Sequence, residues 1–380
     1  MKRILKNNAV QSLLASLACI IFGLLIGYIV LLFINPAGAW DAILTVIKNF
    51  FYYPSKPAAL KYFGSTLVKT VPLMLCGLSV LFAYKVGLFN IGAAGQYVAG
   101  AGAALYLALA LNQPWYVCII GAMLAGAMLG AISGALKSYC NVNEVISCIM
   151  LNWISLYVVN MILTTVKETT SPYTFTLAST NPAALIPSLG LGKLFSNNPY
   201  VTIALPIAIV VSIIIWVLLE KTKFGYELRA TGNNKNAAKY CGMNEKRNII
   251  LTMVIAGALA GLGAALLFLT GFEQWQCSQS SVPTMGFNGI AAAFLGGLNP
   301  IGNIFSSYFI QHITNGGAYV DKTMYCAQIS DLISAIIIYL CGFVAFFKYF
   351  INNCIDRSEE RKAHKRSAAS VSDTKEGGNK

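Results

Sequence analysis

Charged residues are scarce: Asp, Glu, Lys and Arg make up 11% of the 380 residues, less than half of the roughly 25% usual in soluble domains. A chain of this size so poor in charge does not form a soluble globule. Histidine is almost missing. His312 and His364 stand alone, and no His/Cys/Asp group has the spacing of a metal site. A phosphate-binding loop is missing too. The nearest approach, Gly190-Leu191-Gly192-Lys193-Leu194, has Pro187 where the leading glycine belongs and Leu194 where Ser or Thr belongs. No apolar segment pairs a nucleophile with a base. These absences argue against an enzyme, and against ATP hydrolysis within this chain.

Apolar residues are abundant instead. They make up 57% of the chain, with a mean hydropathy of +0.64, which defines a polytopic membrane protein. Five of the ten cysteines lie in apolar runs (Cys19, Cys76, Cys118, Cys148, Cys341), where a thiol packs as a small hydrophobe. Cys277 and Cys326 fall in expected outer loops, so a disulfide between them is the alternative to free thiols.

Ten hydrophobic elements are expected: Leu13–Ile34, Leu67–Tyr84, Ala93–Leu111, Trp115–Leu136, Val145–Leu163, Tyr200–Leu219, Ile249–Thr270, Pro283–Leu298, Ile301–Gly316 and Gln328–Phe347. The first follows Lys2, Arg3 and Lys6. It is too long for a signal-peptide core and no small-residue cleavage site follows, so it reads as a retained span. The eighth and ninth are short and joined by Gly296–Gly302, as tilted spans or as a re-entrant hairpin.

With the N-terminus inside, twenty of the 27 basic residues fall on inner segments and seven on outer ones. The positive-inside rule then puts both termini in the cytoplasm and gives an even span count. The net charge of +13 thus follows the membrane and implies no nucleic acid. Residues 1–347 read as the transmembrane domain. Residues 348–380 read as a cytoplasmic tail, charged and Ser-rich from Asp356 and expected to be disordered. Asn35–Thr66 and Thr164–Pro199 are long outer segments expected to be partly structured.

Polar groups inside spans mark function. In Lys85–Gly100, Asn90, Gly92, Gly95 and Gln96 interrupt an apolar run, as in the broken helices that line transporter paths. Glycine-mediated helix packing is the structural alternative. In Asn141–Asn160, Glu144 opens the run, and Asn152 and Trp153 follow about two turns on. Glu144 reads equally as a cap on its helix or as a path residue. The hexapeptide Phe89-Asn90-Ile91-Gly92-Ala93-Ala94 is echoed by Phe287-Asn288-Gly289-Ile290-Ala291-Ala292. The two open short elements from opposite sides of the membrane. That is the pattern of an inverted repeat relating roughly 67–163 to 249–347.

Between two spans lies Glu220–Asn248, a cytoplasmic insert with seven basic residues, including Arg229 and Lys235. A short helix is expected over Asn234–Tyr240, ending near Gly242.

Three segments, GLFNIGAAGQ (Gly87–Gln96), NEVISCIMLNWI (Asn143–Ile154) and LRATGNNKNAAKYCGMN (Leu228–Asn244), resemble the permease subunits of bacterial ABC importers for simple sugars and nucleosides. The nucleoside branch is the nearer match. Ala94 departs from the pattern, standing where that family commonly carries glutamate. The resemblance implies an all-α permease of about ten transmembrane helices in the cell membrane. It works beside a second permease, a paralogue or a second copy. The implied partners are two cytoplasmic ATPase subunits, which hold the ATP-Mg, and a substrate-delivering lipoprotein; the chain itself needs no cofactor. Leu228–Asn244 would dock the ATPase, with Arg229, Gly232, Asn234, Ala237, Ala238, Tyr240 and Gly242 as coupling residues. Asn90, Gln96, Glu144, Asn152 and Trp153 would line the path of a nucleoside. A ribose- or galactose-like sugar is the nearest alternative cargo. A stand-alone secondary carrier or channel, and a membrane receptor, are alternatives of other classes.

Overall fold

The computed structural model describes residues 8–317 without a break, then 319–321, 323–325 and scattered positions between 332 and 353. Lys2, Arg3 and Lys6, Cys326, most of Gln328–Phe347 and the charged tail lie outside the described residues. Within them the chain is helical, and its only strand-like pairings are the isolated bridges Lys167–Thr174 and Tyr173–Gln276.

The helices are α1 (Asn8–Ile34), α2 (Ala39–Lys48), α3 (Lys56–Lys85), α4 (Ala93–Leu109), α5 (Trp115–Cys140) and α6 (Glu144–Leu163). After a long connection come α7 (Ala204–Lys221), α8 (Lys223–Asn233), α9 (Lys235–Tyr240), α10 (Glu245–Phe268), α11 (Met285–Leu295) and α12 (Pro300–Gly317). Six of these, α1, α3, α5, α6, α7 and α10, are long and apolar enough to cross a bilayer.

Burial sorts them. Most of the apolar length of α3 and α10 is buried, against a third or less for α1, α5, α6 and α7. The central pair is therefore ringed by helices with one free face, as a bilayer solvent allows. The α5–α10 crossing is made of small residues. A Cβ on Gly126, Gly130, Gly257 or Gly261 would strike backbone of the facing helix, so these glycines set how closely the two helices approach.

Helix α3 begins eleven residues before the expected Leu67. Lys56–Thr66 is too polar to read as a span, but Pro57 in the first turn suits a helix start. Helix α2 is amphipathic, burying Ala39, Ala42, Ile43 and Val46, and gives the expected outer segment part of its structure.

Helices α11 and α12 form an antiparallel hairpin on α3. Gly289 abuts Cys76, and the Phe294 ring meets Tyr84 at the end of α3, 5.2 Å between centroids. Past the turn, Asn303 Nδ2 donates to Met74 O (2.8 Å) and Asn315 Nδ2 to Thr66 Oγ1 (3.2 Å). Helix α11, at 11 residues and about 16 Å, is far short of the ~30 Å hydrocarbon core.

The loops cover the end of the bundle opposite Lys85. Asn181 Nδ2 donates to Ala108 O and Gln113 O. Asn198 Nδ2 donates to Lys61 O, and Trp275 Nε1 to Asn160 Oδ1 (2.9 Å). Cys277 is buried there.

Candidate functional site: a broken helix and a basic docking segment

The chain leaves α3 through a tight stop. Gly87 takes φ +75°, and Gly87 N and Leu88 N donate back to Tyr84 O and Ala83 O. That is the glycine-closed helix end that satisfies the last carbonyls. Residues 88–92 then run without helical bonding to the start of α4. This start is well inside the bundle: Ser79, which faces it, lies six residues or about 9 Å short of Lys85.

Buried amides hold the break. Asn90 Nδ2 donates to Ser79 Oγ (3.0 Å) and Gln96 Oε1 (2.8 Å), and Gln96 Nε2 donates back to Asn90 Oδ1 (3.3 Å). Across the gap, Asn152 Oδ1 accepts from Gly95 N (2.8 Å), and Asn152 Nδ2 donates to Ile91 O (3.2 Å). Ser155 Oγ adds a bond to Gly95 O (2.8 Å). A Cβ on Gly95 would lie 2.6 Å from Asn152 Cα, so glycine is needed for this approach. Asn152 and Ser155 thus bond Gly95 N, Ile91 O and Gly95 O, backbone groups at a point where the helix is interrupted. The cavity beside the break, lined by Gly92, Gln96, Ser133, Cys148 and Asn152 among others, has a volume of about 10 Å³, room for about one water. That is below the ~300 Å³ lower end of small-molecule sites; the central amides are closed on one another.

Removing the Asn152 amide leaves the Gly95 N–H without an acceptor, at a cost of about 1–3 kcal/mol. Asn152→Ala is expected to lower the melting temperature of the solubilised protein by several degrees, and Asn152→Asp, which keeps an acceptor, by less.

Of the residues singled out from sequence, Asn90, Gln96 and Asn152 come together here. Glu144 does not. It sits at the first turn of α6 and pairs with Lys137 across the α5–α6 turn, 2.7 Å apart. Trp153 faces away from the break, 42% exposed, and stacks on Tyr157 with centroids 6.2 Å apart and planes at 24°. The residue just before the second echo segment meets the first: Gly286, at the start of α11, is packed on the backbone of Ala94. From that meeting point α4 runs away from the Lys85 end and α11 toward it. Ser79, Ser155 and Tyr157 were not picked out from sequence. For Tyr157 the signal was its i+4 spacing from Trp153.

The basic segment folds against the Lys85 end as two short capped helices. Thr222 Oγ1 accepts from Gly225 N (3.0 Å) and Asn234 Oδ1 from Ala237 N (3.0 Å). Gly242, at φ +79°, ends α9 with Gly242 N and Met243 N returning to Lys239 O and Ala238 O. Leu228 and Ala238 are buried underneath, and Asn248 Nδ2 pins Thr231 Oγ1 at 2.9 Å. Arg229 is engaged with Glu220 (2.9 Å). Gly232 lies on the turn that leads into the break: a Cβ there would be 2.5 Å from Val86 C. Asn234, Ala237, Tyr240 and Gly242 face outward, and the Tyr240 side chain is 92% exposed.

The family described as the branched-chain amino acid transport system permease component matches residues 62–342. The chain is therefore a multi-pass permease of the cell membrane, a transport component rather than an enzyme. It belongs to that family, and its relatives carry it further. The nucleoside ABC transporter permease protein NupB of Lactococcus lactis subsp. cremoris is 33% identical, over 94% of this chain and 97% of its own. The guanosine ABC transporter permease protein NupP of Bacillus subtilis is 32% identical over 86% and 92%. The glucose ABC transporter permease protein TsgB13 of Haloferax volcanii is 29% identical over 78% and 80%.

Proposed function

We propose that this permease is the membrane subunit of an ATP-driven importer of nucleosides. The observation that carries this reading is its similarity, over nearly its whole length, to permeases named for nucleosides and guanosine. About ten membrane helices, with both termini in the cytoplasm, fit the charge distribution. The meeting of α4 and α11 at their N-termini, and their opposite directions from there, support an inverted repeat.

The basic segment is cytoplasmic in this reading and receives an ATPase, which supplies ATP-Mg. Tyr240, with Asn234, Ala237 and Gly242 around it, offers the contact. Gly232 and Ala238 face inward and pass the movement on. Because Gly232 rests on Val86, a shift of α8–α9 displaces residues 86–92 and with them the start of α4. ATP binding in the partner thus biases the bundle between outward- and inward-open states. A second permease and an extracellular binding lipoprotein complete the machine.

The glucose permease relative favours a second reading, a sugar cargo. Competition of uptake in cells decides between them. Excess unlabelled nucleosides are expected to suppress labelled nucleoside uptake, while ribose, galactose and glucose leave it unchanged. Suppression by sugars alone would transfer the assignment to the sugar reading.

A further inference from the structure

The free faces of the spanning helices are not alike. At mid-length, α1 exposes Ile21 and Leu25, α5 exposes Leu124 and Met128, and α7 exposes Val210 and Ile213. Such side chains suit hydrocarbon. Helix α6 exposes Trp153 and Tyr157 there, beside the aliphatic Ile154 and Val158. Its 20 residues span about 30 Å, and Trp153 lies about 14 Å from its start. Among the helices described without a break, Trp153 is the exposed Trp or Tyr farthest from a helix end, and Tyr157 stands six residues from the end of α6. Neither Trp153 Nε1 nor Tyr157 Oη has a hydrogen-bond partner among the described residues.

Trp and Tyr favour membrane interfaces, where the polar tip reaches water. At mid-membrane depth, against lipid, both tips would go unpaired, which carries a desolvation cost. The two rings are also already stacked, planes at 24°, and flanked by the exposed thioethers of Met150 and Met161. Pre-stacked aromatic side chains with a free face are what sequence-tolerant base recognition uses, since every base has a π-face. The opposite face of α6 is tied to the broken helix through Asn152 and Ser155. Any movement of the start of α4 therefore carries the ring pair with it.

We propose that Trp153 and Tyr157 form a stacking platform for the nucleobase of the passing substrate, with the indole N–H and the phenol O–H as its polar contacts. The proposal rests on the nucleoside reading and names the part of the cargo that is recognised. It predicts that purine nucleosides, with the larger π-face, lose most when the rings are removed.

The test uses the full complex of permease pair, ATPase and binding lipoprotein in vesicles, with adenosine and cytidine as probes. Trp153→Ala/Tyr157→Ala is expected to cut the adenosine rate about tenfold at saturation, and the cytidine rate less. Trp153→Phe is expected to keep most of the adenosine rate. Recovery of all subunits and the melting temperature of the complex are expected to stay normal. An 8-azido purine nucleoside, photolysed in the stalled complex, should label residues 150–161. Unchanged rates and no label there would overturn the platform and leave this a lipid-facing surface. Loss of the second permease on purification would overturn it in favour of a subunit contact. If the unaltered complex takes up no nucleoside at all, the functional reading fails rather than the platform alone.

Discussion

Gly232→Val is expected to reduce ATP-driven uptake more than tenfold. The position has no room for a side chain: a Cβ would lie 2.5 Å from Val86 C and 2.8 Å from Val86 Cα and O. Backbone does not yield as the tip of a flexible side chain does. The segment α8–α9 must lift from residues 86–92, and the contact that joins docking segment to broken helix is lost. Gly87 is the other half of that contact, since a Cβ there would be 2.9 Å from Gly232 O at φ +75°. Gly242→Ala is the control. Gly242 also has a positive φ but no atom within 4 Å, so the cost is backbone strain of about 1–2 kcal/mol without a collision. Gly242→Ala is expected to keep most of the uptake. ATPase activity measured with uptake separates the outcomes: Gly232→Val should leave hydrolysis that no longer drives transport.

Tyr240→Ala is expected to cost about as much, by another route. The ring is 92% exposed and held at the end of a capped helix. A large aromatic side chain so presented is the type that anchors interfaces, where truncation costs about 2 kcal/mol or more, roughly thirtyfold in affinity. Because the side chain touches little of its own chain, the variant should melt like the parent protein. Pull-down of the ATPase, alongside thermal melting, checks both halves. Retention of the ATPase by Tyr240→Ala would move the docking surface elsewhere on α8–α9, with exposed Tyr226 next in line.

The sequence made the spans legible because hydropathy is a sum over many residues. Trp115, Leu163 and Ala93 are helix limits in both readings. The cap chemistry was legible too: Asn234 and Gly242 bracket α9 as their residue types require. Helix α8 escaped notice, since Lys223–Asn233 has no apolar run and its start rests on one hydroxyl, Thr222. The first eleven residues of α3 escaped for the same reason. Burial was the harder quantity. In a membrane both faces of a helix are apolar, so composition does not tell core from lipid. Gly232 and Ala238 therefore read from sequence like Tyr240, although they lie under the docking segment and Tyr240 on it. In the same way Asn152 and Trp153, neighbours in sequence about 100° apart around α6, point to its buried and its exposed face. One ties the broken helix; the other faces out of the bundle.

Uptake by the reconstituted complex tests the central claim most directly. Vesicles holding this permease, its partner permease, the ATPase and the binding lipoprotein are loaded with ATP-Mg and given labelled nucleoside outside. Accumulation above the outside concentration is expected with ATP and absent with a non-hydrolysable analogue or without the ATPase. Accumulation by this chain alone, driven by an ion gradient, would contradict the account.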